Sequence, residues 1–187
     1  MTQEKINLQH INFKFYIEEN PDIDFENFNP VFQTWIQEKL TDELMIDVAD
    51  YLHVPSGPGM LLVGFEADYS MDNTQGRWGL RYNRKAVMEG SNQEKLKHCF
   101  KQSIEACERL KSNKTFDGKL KFNTQELEFF INDRGVAPNT SKISKIVESE
   151  LEKFFQKLWE DFELISHEDK RQRLGFNLKT KNFKSLD

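Results

Sequence analysis

At 187 residues the chain has the length of one domain, or of two small halves sharing a core. Its net charge of −5, from 26 basic and 31 acidic residues, argues against a general nucleic-acid binder, which needs a basic surface to displace counterions. Only 37% of residues are hydrophobic, but there are sixteen Phe; each large ring buries roughly 150–250 Å², which marks a folded chain rather than a disordered one.

The opening "MTQEKINLQHINFKFYIEEN" lacks the basic-then-apolar pattern of a signal peptide. No apolar run approaches the ~20 residues that span a bilayer. A cytoplasmic protein with no membrane partner is expected. Chain order begins with an alternating strand: Ile11, Phe13, Phe15 and Ile17 share one face, and Asn12, Lys14 and Tyr16 the other. "NPDIDFENFNP" is a loop, after which Asn29 offers an N-cap and Pro30 suits the first helical position. The helix "PVFQTWIQEKL" places Val31, Phe32, Trp35, Ile36 and Leu40 on one side.

"ELMIDVADY" reads as a strand with Leu44, Ile46 and Val48 inward. "HVPSGPG" interrupts, and "MLLVGFEADY" and "RWGLRYNRK" follow as two strands around "SMDNTQG". "SNQE" at Ser91 to Glu94 is a capping box. It opens a helix with Leu96, Cys99, Phe100, Ser103, Cys107 and Leu110 along one stripe. The two cysteines lie about 12 Å apart along that axis, too far to bridge, so buried reduced thiols are expected.

"KLKFNTQELEFFINDR" holds one or two strands, and "GVAPNT" leads to a cap at Asn139 or Thr140. The next helix carries Ile143, Ile146, Val147, Leu151, Phe154, Phe155, Leu158 and Trp159 on one apolar face. "DFELISHE" and "RLGFNLKTK" close the chain as strands. The tail "HEDKRQRLGFNLKTKNFKSLD" is the one local basic stretch; it reads either as a nucleic-acid patch or as a solvated edge strand with a frayed end.

These elements predict an α+β fold: a mostly antiparallel sheet of about seven or eight strands, with three amphipathic helices packed on one face. "FKFYIEE…FQTWIQEKLTDELMIDVAD" runs parallel to "LEFFIND…FFQKLWEDFELISHED". A duplicated strand–helix–strand unit, with halves 1–113 and 114–187, explains this likeness; a common αβ pattern is the alternative. A single domain, 1–187, is expected in either case.

Two stretches collect polar groups in irregular backbone. If strands 61–69 and 78–85 turn between Asn73 and Thr74, Tyr69 faces Trp78, Ala67 faces Leu80 and Phe65 faces Tyr82. Glu66 then opposes Arg81, and Arg77 lies diagonal to Asp68. Such a hairpin is either a set of mutually neutralising charges or part of a site. "HVPSGPG" is either a plain connection or a loop whose Ser56, Gly57 and Gly59 expose backbone N–H groups to an anion. In "INDRGVAPNT", Asp133, Arg134 and Asn139 stand at the entry to a helix, which is either a capped helix with an Arg–Asp turn pair or a place where an anion can dock.

No GxSxG, HExxH, CxxC or GxGxxG pattern occurs, and one His among scattered carboxylates is not a zinc signature. No metal and no cofactor are expected. "HVPSGPGMLLVGFEADYSMD", "RWGLRYNRK" and "INDRGVAPNT" resemble a family of uncharacterised bacterial proteins with HVPxGPG and INDRxxAPNT-like motifs. That resemblance implies no activity and no site residue.

The leading expectation is a binding protein for a small anionic ligand or a protein partner. His53, Ser56, Arg77, Arg81, Arg134 and Asn139 would contact the ligand, with Asp50, Asp68 and Asp133 positioning the cations. The second is a small-molecule hydrolase or transferase in which His53, oriented by Asp50, is general acid or base; it requires His53 to share a cavity with an arginine. The third is a homo-oligomeric assembly protein, a homodimer in the simplest case, motivated by Tyr16 and Phe130 on otherwise polar strand faces.

Overall fold

Strand β1 (Ile11–Ile17) is buried along its whole length, and its alternation gives it two different faces. In the computed structural model, which describes residues 6–19 and 22–181, β1 lies inside an eight-stranded sheet. The other strands are β2 (Met45–Tyr51), β3 (Gly59–Gly64), β4 (Ala67–Asp72), β5 (Gly79–Arg84), β6 (Phe122–Ile131), β7 (Phe162–Ser166) and β8 (Gly175–Thr180). Their order is β2-β3-β4-β5-β1-β6-β8-β7, and every neighbouring pair is antiparallel. From β1 the chain passes through helix α1 (Phe28–Gln37) to one edge, β2, and returns strand by strand to β5. Helix α2 (Asn92–Lys111) leads on to β6, and helix α3 (Ser141–Phe155) carries the chain to the other edge, β7.

The three helices cover the face that carries Phe13 and Phe15. Phe13 packs edge-on against Phe100 of α2 at 5.3 Å and against Phe155 of α3 at 6.5 Å. Trp35 of α1 meets Tyr69 of β4 at 6.0 Å. This is the expected α+β architecture, with the sheet at eight strands. Cys99 and Cys107 both lie in α2, buried and free. No helix among the described residues is long and apolar enough to cross a membrane. Of the acidic loop after β1, residues 20–21 lie outside the described residues, as do residues 1–5 and the tail beyond 181.

Local chemistry explains most boundaries. The Ser91–Glu94 capping box forms with both arms in place. Thr140 is the N-cap of α3, its hydroxyl accepting from Ile143 N. Helix α1 begins earlier than Asn29 and Pro30 suggest, because Asp24 caps a 3-10 turn (Phe25–Asn27) that runs directly into it. Helix α3 stops at Phe155, but Trp159 still stacks on Phe155 at 5.0 Å in the same core.

Two strand expectations are corrected. The run 61–69 is not one strand: the chain reverses at Phe65 and Glu66, between β3 and β4. Phe65 N is bonded to Leu44 O, Asp68 Oδ1 accepts Gly64 N, and the Phe65 side chain is 69% exposed instead of facing Tyr82. The β4–β5 register is therefore displaced, with Tyr69 opposite Tyr82, Ser70 opposite Arg81 and Asp72 opposite Gly79. In β2 an irregularity between Met45 and Asp47 inverts the alternation, so Met45 is buried while Leu44 and Ile46 are 64% and 56% exposed.

Glu43, in the loop before β2, is buried in the helical layer. It accepts from Tyr82 OH at 2.7 Å and Tyr69 OH at 2.9 Å, with His98 Nε2 at 3.8 Å. Burial alone would raise its carboxyl; the nearby His98 and the hydrogen bonds from Tyr82 and Tyr69 outweigh burial and hold it below its ordinary range.

Candidate functional site

The sheet face opposite the helices carries Asn12, Lys14 and Tyr16 of β1 flanked by Arg81 and Asn83 of β5 and by Glu128 and Phe130 of β6. A face without helices would ordinarily be solvated, yet Lys14 is 1% and Asp72 0% exposed. Lys14 Nζ lies 2.7 Å from Asp72 Oδ1, and Arg81 Nη2 lies 2.9 Å from the same oxygen. Thr74 adds its N–H at 3.0 Å and its hydroxyl at 2.8 Å to the two Asp72 oxygens. Asp72 thus takes three hydrogen bonds and an ion pair with Arg81, which is how a buried carboxylate is tolerated. Burial lowers the Lys14 ammonium, and the neighbouring Asp72 pulls it back up in part.

Beside this network a cavity of about 370 Å³ opens on the outer face. Arg81, Arg134, Arg171 and Arg173 line it, with His167 and Phe130. Arg81 and Arg173 both lie over the Phe130 ring, 4.9 and 4.5 Å from its centroid. Arg173 Nη1 is held by Asn132 Oδ1 at 2.8 Å, and Arg134 donates to the carbonyl of Arg171. Burial lowers the Arg173 guanidinium, and repulsion from Arg81 adds to the effect. The acids are already engaged: Glu128 Oε1 faces His167 Nε2 at 3.6 Å, and Asp169 grips Arg171 through two guanidinium nitrogens at 3.0 Å. Arg81 Nε and Asn177 Oδ1 are buried with no hydrogen-bond partner among the described residues. The result is a pocket rich in planar cationic donors, suited to an anion.

Of the residues expected to form a site, the structure brings Arg81 and Arg134 to this cavity and leaves the others elsewhere. His53 is exposed in the β2–β3 turn, stacked on Tyr51 at 6.5 Å, and is not among the cavity walls. Asp50 caps that turn by accepting Leu52 N at 2.8 Å. Ser56 is exposed, and the Gly57 N–H is committed to Val54 O at 3.2 Å, so it is not held open for an anion. Asp68 braces the β3–β4 turn, pairing with Lys85 at 2.7 Å and accepting from Asn83. Arg77 does not meet Asp68; it grips Glu126 at 3.0 and 2.9 Å and covers the Tyr16 ring at 3.7 Å. Asp133 folds its own turn by accepting Gly135 N and Val136 N, and its other oxygen lies 3.5 Å from His10. Asn139 donates to Asp169 O at 3.2 Å and so pins the loop that carries Arg171 and Arg173.

Tyr16 and Phe130 are 3% and 4% exposed, covered by arginines of their own chain, so neither presents an apolar face to a second copy. Lys14, Asp72, Glu128, His167, Arg171 and Arg173 were not legible as site residues. Arg171 and Arg173 fall in the basic tail segment, which was the only available signal. Among the described residues no three His, Cys, Asp or Glu side chains gather as a metal site. No family model matches the chain, and no curated protein and no solved structure matches it.

Proposed function

We propose that this protein binds a small anionic ligand in the cavity between Arg81, Arg134 and Arg173. The observation that carries this is convergence: residues from β5, from the β6–α3 loop and from the β7–β8 loop bring four guanidinium groups to one cavity. Such convergence of like charge is costly unless something offsets it, and an anion of small-molecule size fits a cavity of about 370 Å³. The ligand-binding group is rigid below and adjustable above. Arg81 stands on the sheet, fixed by Asp72, while Arg134 and Arg173 stand on loops.

Calorimetric titration with sulfate, phosphate and succinate tests this. Arg134→Ala and Arg173→Ala each weaken the best-bound anion at least several-fold, while Arg77→Ala, outside the cavity, leaves it unchanged. Equal affinity in all four proteins refutes the assignment.

A further inference from the structure

Resting on the anion site proposed above, we infer that its ligand carries a phosphate monoester in the doubly charged form. Five cations, Lys14, Arg81, Arg134, Arg171 and Arg173, gather here against three carboxylates: Asp72 takes Lys14 and Arg81, Asp169 takes Arg171, and Glu128 lies across from Lys14 beside His167. Among the described residues neither Arg134 nor Arg173 forms a salt bridge: their hydrogen bonds go to neutral oxygens, the Arg171 carbonyl and the Asn132 amide, and Asp169, Glu128 and Asp72 act on them only at longer range. Two positive charges are therefore left over, and a dianion cancels them where a single carboxylate does not. The surplus is also concentrated. Arg81 and Arg173 each lie over the Phe130 ring, and Arg134 is joined to the same loop as Arg173. Guanidinium forks gathered at one place match three oxygens on one phosphorus better than two carboxylates spread along a chain. The cavity of about 370 Å³ leaves room for a small body behind the phosphate, with the Phe130 ring at its wall.

Phenyl phosphate and phenyl sulfate share a tetrahedral shape but carry two and one negative charges at pH 7.5, so they separate charge from fit. Titrated into the full chain at that pH, phenyl phosphate binds at least tenfold more tightly than phenyl sulfate. Because the second ionisation of a phosphate monoester lies near pH ~6, the phosphate loses about tenfold relative to the sulfate by pH 5. Equal binding of the two esters overturns the dianion assignment while the anion site stands. Succinate binding as tightly as phenyl phosphate overturns the phosphate assignment in the same way. Binding of none of the three overturns the site itself.

Discussion

Lys14 and Asp72 meet at 2.7 Å although a whole strand, β5, separates β1 from β4. Gly79 makes the crossing open: it lies opposite both Tyr16 and Asp72 and carries no side chain there. Arg81, opposite Lys14 on β5, pairs with the same oxygen of that carboxylate. The network therefore ties three strands together beneath the cavity and fixes the one arginine of the pocket that stands on the sheet.

Removing the acid at the centre should be severe. Asp72→Asn leaves Lys14 and Arg81 as buried cations without their carboxylate, which costs about 3–5 kcal/mol. Denaturant unfolding of the variant checks this. Lys14→Met should cost less, because Arg81 and Thr74 still hold Asp72.

Gly79→Ala should destabilise by about 1–3 kcal/mol through overpacking. A Cβ at that position would lie 2.5 Å from Phe15 O and 3.0 Å from Tyr16 Cα, so β5 must move away from β1. The midpoint of thermal unfolding reads this directly.

Glu43 predicts the acid limb of stability. Its folded carboxyl lies below the ordinary 4.5, so its contribution is full above pH 4.5 and is lost as pH falls through the lower folded value. Glu43→Gln should lose about 2–3 kcal/mol at neutral pH, typical of bonds to a charged acceptor, and should flatten the dependence below 4.5. At the alkaline end Tyr69 and Tyr82 act with the opposite sign. Burial raises both phenols above the ordinary 10.0, so their contribution is present below pH 10 and is lost as pH rises beyond it.

The thiols should be silent in the native state. Burial pushes Cys99 up to about 12 and holds Cys107 well above its ordinary range. A thiol reagent at pH 8 should label neither cysteine rapidly in native protein and both after denaturation.

How far the fold could be read in advance followed from where local chemistry acts alone. The Ser91–Glu94 box and the alternation of residues 11–17 are local, and both hold in the structure. The reversal at Phe65–Glu66 interrupts a continuous apolar run with none of the Asn-Gly or Asp-Gly residues that mark tight turns, so it was invisible. The irregularity near Met45 inverted the expected faces for the same reason: one extra residue changes parity without changing composition. Within the site, Arg81 and Arg134 stood out because each sits in an unusual local context. Arg173 did not, since only the β6–β8 pairing brings it over Phe130. His53 attracted notice through its Pro/Gly surroundings, but those residues serve a turn, where Gly59 has φ 62° and a Cβ would collide with Met71 O.

The most direct test of the anion site is a sulfate titration followed by ¹⁵N–¹H spectra, with the arginine Nε–Hε signals assigned. Saturable shifts confined to Arg81, Arg134, Arg173 and the backbone around residues 132–134 and 169–174 are the predicted result. Shifts that never saturate, or that map instead to the turn around Ser56 and Gly57, would contradict it.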